Sequence, residues 1–222
     1  MLRDLRTAFI AMIVFTVLLG LGYPLLVTGI SQGVFPGKAN GSLIKRDGVI
    51  VGSSLIGQQF YEPEVGSNGK PVTKKGVVQT VPDPRYFQTR PSYTSDNAAS
   101  TAFSNYGPNG KTTLTAFQGY VQTYLALNRA PSGTPYDPAV TKASQIPVDA
   151  VSDSASSIDP DISVANARIQ AYRVAAIRHL PLARVDALVA KYTSARGLGF
   201  LGEPGVDALD INLALDRITG SN

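Results

Sequence analysis

Between Thr7 and Gly37 the chain carries no charged side chain. Inside that run the 23 residues AFIAMIVFTVLLGLGYPLLVTGI, Ala8 to Ile30, are almost wholly apolar. At a helical rise of about 1.5 Å per residue they extend roughly 35 Å, enough to cross a hydrocarbon core about 30 Å thick with some tilt. A single segment in lipid satisfies its own backbone polar groups only as a helix. The run therefore predicts one transmembrane helix. The rival reading is a cleaved signal peptide, with Met1–Arg6 as a short basic start and Val27-Thr28-Gly29 as a poor cleavage site. Against it, the run exceeds the usual apolar core of about 7–15 residues, no A-x-A site follows, and Asp4 is out of place in a basic start.

Gly20 and Gly22 remove side-chain bulk and allow a neighbouring backbone to approach, and Pro24 predicts a kink near Gly20. Glycine and proline are also simply common in membrane helices, so partner packing around Gly20, Gly22, Tyr23 and Pro24 stands beside a plainer reading. Arg3 and Arg6 lie before the span, and Lys38, Lys45 and Arg46 after it. Charge counting leaves the orientation open.

After Phe35-Pro36-Gly37 the sequence becomes polar and rich in turns. Asp47-Gly48 between short apolar runs predicts a hairpin. Residues 62–84 hold four prolines and three glycines and read as a surface loop, with a short strand at Val77–Val81. Ser92 to Thr113 reads as irregular. Leu114 to Asn128 reads as a helix with Leu114, Phe117, Val121, Tyr124 and Leu125 on one stripe, and Pro131 to Pro138 as a linker. Ser163 is placed to cap a helix running to His179. Pro181 opens a further helix whose core face is Leu182, Val185, Leu188, Val189 and Tyr192. Asp207 to Thr219 alternates like a strand, yet Asp207 can cap a helix and Val206 and Ile211 stand where a hydrophobic staple belongs. The expected fold class is α+β: one N-terminal transmembrane helix, residues 1–37 with a short tail, then a single mixed soluble domain, 38–222, helix-rich in its C-terminal half.

The chain has no cysteine and one histidine, His179, which excludes thiol chemistry, zinc–thiolate centres and any two-histidine mechanism. A net charge of +4 without a long basic run gives little support for a nucleic-acid surface. GLGFLG, Gly197 to Gly202, has dinucleotide-loop spacing but follows a helical stretch, and Glu203 stands where a phosphate would sit. Glycines ending a helix are the simpler reading. GPNGKTT, Gly107 to Thr113, lacks the first P-loop glycine and reads as a turn; Asn40-Gly41-Ser42 is a sequon or a turn. His179 with a serine and an aspartate could be drawn as a hydrolytic triad, but no G-x-S-x-G elbow exists. Asp153, Asp159 and Asp161 lack EF-hand spacing and read as the solvated start of a helix.

Several stretches in order resemble the KdpC subunit of the bacterial potassium-transporting Kdp P-type ATPase. They are YPLLVTGISQGVFPGKANGSLI (Tyr23 to Ile44), GSSLIGQQF (Gly52 to Phe60), YFQTRPS (Tyr86 to Ser92) and NAAS followed by SNYGP. Later come IPVDAV, DPDIS, the Q-x-x-R-V-A segment from Gln170, and LGFLGEP through NLALD. Residues 62–84 look like an insertion relative to that pattern, and Asp161 replaces an expected histidine. The resemblance implies an accessory subunit with no catalysis and no tightly bound cofactor of its own, ATP and potassium being handled by the complex. It implies partnership with a channel-like potassium-binding subunit, an ATP-hydrolysing P-type subunit and a small membrane subunit. It places the N-terminus inside the cytoplasmic membrane and the soluble domain outside. It also implies a catalytic chaperone that raises the pump's ATP affinity, with Gln170 as the residue tied to that effect. Gly20, Gly22, Tyr23, Pro24, Phe35, Pro36 and Asn40 are the expected packing positions. A membrane-tethered hydrolase using a Ser/Asp/His179 site is the alternative from another class.

Overall fold

A computed structural model describes residues 1–128, 140 and 142–220. The expected linker Pro131–Pro138 lies outside the described residues. The chain divides into two compact units, Met1–Ser53 and a second from Ser54 onward.

The first unit is led by a helix over Leu2–Val34, long and apolar enough to cross a membrane, with none of its most apolar window buried. It runs as α1 (Leu2–Phe15), a wider π segment (Thr16–Gly22) and α2 (Tyr23–Val34). The π turn sits where the kink was expected. Pro24 lacks an N–H, and its ring would crowd the Gly20 carbonyl in α geometry. Instead the Tyr23 N–H donates to Leu18 O, five residues back, so the ladder widens before the proline. Phe35 leaves helical geometry at φ −133°, as a residue preceding proline tends to, and Pro36 opens the short α3 (Pro36–Ala39). Gln32 and Asn40 bridge that break with a reciprocal amide pair, both bonds 3.1 Å, and Asn40 Nδ2 also donates to Pro36 O. β1 (Leu43–Arg46) and β2 (Val49–Ser53) then form the expected hairpin. Asp47 and Gly48, at φ 51° and 81°, supply the left-handed pair that a two-residue hairpin turn requires.

In the second unit, residues 62–84 are more ordered than the expected loop. β3 (Tyr61–Pro63) pairs with β6 (Thr80–Pro82), and β4 (Thr73–Lys74) pairs with β5 (Val77–Val78), around a tight Lys75-Gly76 turn. Bonds from Val72 to Glu64 and from Gln79 to Val72 link the inner and outer ladders into one hairpin arm. The expected strand at Val77–Val81 is thus split over β5 and β6.

α4 (Lys111–Leu127) starts at Gly110, so GPNGKTT is a turn leading into a helix start. Its expected stripe holds only in part: Tyr124 is buried, but Leu114 is 60% exposed and Phe117 37%. β7 (Asp161–Ser163) leads into α5 (Val164–Ile177), where Ser163 caps by accepting from the Asn166 N–H. α6 (Leu182–Lys191) follows with Pro181 at its N-cap, burying Val185 and Val189 and packing Leu182, Leu188 and Tyr192 against the core. β8 (Thr193–Ser194), β9 (Gly205–Asp207) and β7 make an antiparallel sheet in the order β7-β9-β8. α7 (Ala208–Thr219) closes the fold, and Asp207 caps it through the Asp210 N–H. Tertiary packing settled the ambiguity there, since Ile211 and Leu215 both enter the core.

GLGFLG does not end a helix. α6 stops at Lys191, β8 intervenes, and Gly197 and Leu201 exchange two backbone bonds of 2.8 Å around a turn in which Gly199 has φ 82°. The core gathers Phe87, Ile162, Val174, Val185, Val206, Ile211 and Leu215 between α5, α6, α7 and the sheet.

Candidate functional site

α5 sets Asn166, Gln170 and Arg173 four and three residues apart, on one face pointing inward, and all are buried. The burial of so much polar surface requires partners. They come mainly from the irregular segment Tyr86-Phe87-Gln88, which pairs with no described strand. Gln170 Oε1 accepts from the Gln88 N–H at 2.8 Å while its Nε2 donates to Gln88 O at 3.0 Å. Asn212, on α7, does the same one residue earlier: Oδ1 accepts from the Phe87 N–H and Nδ2 donates to Phe87 O, both at 2.8 Å. Two side-chain amides thereby stand in for the neighbouring strands and hold Phe87, fully buried, in the core.

The remaining valences of Gln170 are also filled. Its Oε1 accepts from Arg173 Nη2 at 2.8 Å and its Nε2 donates to Asn166 Oδ1 at 3.0 Å. Asn166 Oδ1 also accepts from the Tyr124 hydroxyl, tying α4 to α5. Arg173 donates to Asn128 Oδ1, Tyr86 O and Pro84 O, so its guanidinium rests on neutral oxygens. Burial lowers its pKa to about 10, with the Tyr124 and Asp83 charges pulling the other way. It remains protonated at neutral pH.

The outer edge of this network is ionic. Arg178 donates to Asp216, Thr219 and Arg85 O, and its guanidinium lies 4.6 Å from the centre of the Tyr86 ring. Phe60 stacks on the other partner of that contact, the Tyr86 ring, at 5.1 Å. Burial alone would raise the Asp83 carboxyl, but the Arg85 side-chain and backbone hydrogen bonds outweigh it and hold the group below its ordinary value.

Beside Gln88 opens a cleft of about 290 Å³, lined in part by Gln59, Tyr61, Arg90, Tyr120 and Tyr124. Gln88 Oε1 is buried without a hydrogen-bond partner among the described residues. Burial raises the Asp96 carboxyl to about 6, against hydrogen bonds from Ser92 and Thr89.

The other expected residues fall elsewhere. Gln170 is 1% exposed, and its amide is fully committed to protein groups. Tyr23 and Phe35 are exposed, at 61% and 59%. A Cβ at Gly20 or Gly22 would meet nothing in the chain closer than 3.9 and 3.6 Å. Neither glycine is required by the helix's own packing. His179 is exposed at φ 53° just beyond α5, its backbone N–H donating to Ala176 O. No serine or aspartate is hydrogen-bonded to its imidazole among the described residues. Asp153 is not solvated, since both its carboxylate oxygens are buried. The residues the sequence reading passed over are Gln88 and Asn212. For Asn212 the available signal was an amide at core spacing in an otherwise apolar helical run; Gln88, in an irregular segment, offered none.

These features define a class: a chain with one helix, among the described residues, long and apolar enough to cross a membrane, followed by an α+β domain whose buried amides bind its own backbone. The chain belongs to the KdpC family, described as the K+-transporting ATPase, c chain, whose model matches residues 5–217. It is 41% identical over 220 residues to the potassium-transporting ATPase KdpC subunit of Mycobacterium tuberculosis, covering 98% of this chain and all of that one. The KdpC subunit of Methylococcus capsulatus is 42% identical over 221 residues, with 98% and 100% covered. That of Herpetosiphon aurantiacus is 44% identical over 216 residues, with 96% and 95% covered.

Proposed function

We propose that this chain is a non-catalytic accessory subunit of an ATP-driven potassium uptake complex. The observation that carries this reading is the family match over residues 5–217. In this account the apolar helix is a single-pass anchor in the cytoplasmic membrane, its N-terminus inside and the soluble domain outside. Gly20, Gly22, Tyr23 and Pro24 pack against a channel-like potassium-binding subunit, an ATP-hydrolysing P-type subunit or a small membrane subunit. The Gly20 and Gly22 surfaces are open, which supports this. Phe35, Pro36 and Asn40 then set how the domain leaves the membrane, through the Gln32–Asn40 amide pair.

The subunit holds no cofactor tightly, and ATP and potassium are handled by the complex. Any rise in the pump's ATP affinity is indirect, because a domain outside the membrane does not reach cytoplasmic ATP. It works through assembly or potassium access as a coupling between sites. The burial and complete bonding of Gln170 support an effect on the domain rather than on nucleotide.

The test is potassium-stimulated ATPase activity of the purified complex with wild-type chain, without it, and with Gln170→Ala. The account expects loss of activity without the chain. With the variant it expects a change in ATP affinity only alongside changed assembly or potassium affinity. A shift in ATP affinity with both of those unchanged would overturn the indirect route.

A further inference from the structure

A second cleft, of about 450 Å³, opens between the 103–106 segment, α4 and the 152–155 turn. Its walls are aromatic: Phe103, Tyr106, Phe117 and Tyr120, with Phe117 and Tyr120 edge to face at 6.5 Å. Phe103 is 51% exposed. Asp153 is among the residues lining the cleft. Both its carboxylate oxygens are out of water's reach, and neither has a well-formed hydrogen bond among the described residues. Arg90 donates to Asp159, to Ser152 Oγ and to the backbone carbonyl of Asp153, its Nε is left without a partner, and it forms no ion pair with the Asp153 carboxylate. The Tyr120 hydroxyl interacts with that carboxylate, since its pKa is raised by burial first, then by a side-chain contact with Asp153 and by the Asp153 charge. No lysine or arginine among the described residues lines the cleft.

A carboxylate without an ion-pair partner in a poorly hydrated setting favours a cation nearby, and aromatic faces attract cations through their quadrupole. Size decides between an alkali ion and a larger group. Pockets of roughly 300–1,000 Å³ suit organic ligands, whereas a bare monovalent ion would leave this cleft mostly water. We propose that the cleft binds an organic cation, an ammonium or guanidinium group of side-chain size, between its aromatic walls and the Asp153 charge. The proposal does not depend on the potassium-pump reading.

The test uses the full-length chain in detergent micelles, labelled with 3-fluorotyrosine, with the Tyr120 fluorine signal assigned by Tyr120→Phe. The probes are agmatine, the pentapeptide Gly-Gly-Arg-Gly-Gly and, at matched ionic strength, potassium chloride. The expected result is a saturable Tyr120 shift with agmatine, none with potassium chloride, and at least about tenfold weaker binding in Asp153→Asn. A peptide response equal to agmatine's assigns the cation to a polypeptide side chain, and a response to agmatine alone assigns it to a free small molecule. Tyr106→Leu, at the cleft wall, weakens binding by several-fold and carries the test should Asp153→Asn fail to fold. No saturable shift up to about 50 mM, an equal shift with potassium chloride, or unchanged affinity in the folded variants would overturn the proposal.

Discussion

Gln170 closes a two-way amide clasp on the backbone of Gln88, accepting from its N–H at 2.8 Å and donating to its carbonyl at 3.0 Å. The two residues are 82 positions apart. A strand partner would satisfy those groups in a sheet; here one side chain on a helix does so.

Gln170→Ala therefore strands three groups: the Gln88 N–H and carbonyl and one Arg173 donor, while Asn166 Oδ1 keeps the Tyr124 hydroxyl. Each unsatisfied buried group costs about 1–3 kcal/mol before relaxation or water repairs it. The expected loss is roughly 3 kcal/mol or more in denaturant unfolding of the full chain in micelles. Asn212→Ala should lose a comparable amount, since it clasps Phe87 in the same way. A loss below about 0.5 kcal/mol for both would mean the clasps are not what holds this segment.

Gly57 admits no side chain. A Cβ there would lie 2.6 Å from the Asp159 carbonyl oxygen, and the Gly57 N–H already donates to Ile158 O at 2.8 Å. Backbone cannot swing aside as a side chain can, so Gly57→Ala should cost about 3 kcal/mol. Gly119, inside α4 with nothing within 4 Å, is the control. Gly119→Ala should gain roughly 0.5–1 kcal/mol from helix propensity alone. Thermal melts of the two variants moving in the same direction would contradict this.

Asp207 gives the fold a signed pH dependence. Burial raises its carboxyl to about 6, with the Asp210 and Asp161 charges adding and backbone hydrogen bonds from Asp210 and Leu209 opposing. Unfolded, the group titrates near about 3.9. Between about pH 4 and 6 the folded chain holds more of this proton, so its contribution to stability falls as pH rises through that window. Asp207→Asn keeps an N-cap and removes the titration. Relative to that variant, the wild-type melting temperature should rise by about 2–4 °C on going from pH 7 to pH 5, a modest shift because solvent screens the site. Parallel curves for the two chains would place the raised group elsewhere.

Gly22→Leu probes the membrane helix. Its own chain offers a Cβ at Gly22 nothing closer than 3.6 Å, so the melt of the soluble domain should not change. Recovery of partner subunits with the chain should fall severalfold. Unaltered recovery would show that this face is turned to lipid.

Local signals in the sequence were readable where the physics is local. Asp47-Gly48, Ser163 and Asp207 act within a few residues, and each does what its type prescribes. Pro24 announced a disturbance but not its form, because a kink and a π turn relieve the same crowding. The turn at Gly197–Leu201 was misjudged because β8 exists only through its pairing with β9, which propensity does not record. Likewise, the 62–84 arm gains order from ladders that its prolines and glycines seemed to forbid. The amide clasps were beyond reach, since a glutamine on a helix does not declare which distant backbone it will bind.

The most direct test of the central claim is purification of the tagged full-length chain from its native membranes in mild detergent, with co-purifying proteins identified by mass. Stoichiometric recovery of a P-type ATPase and a large multi-span potassium-binding protein is the predicted result. Recovery of the chain alone across several detergents would contradict the claim that it works as a subunit of a potassium pump.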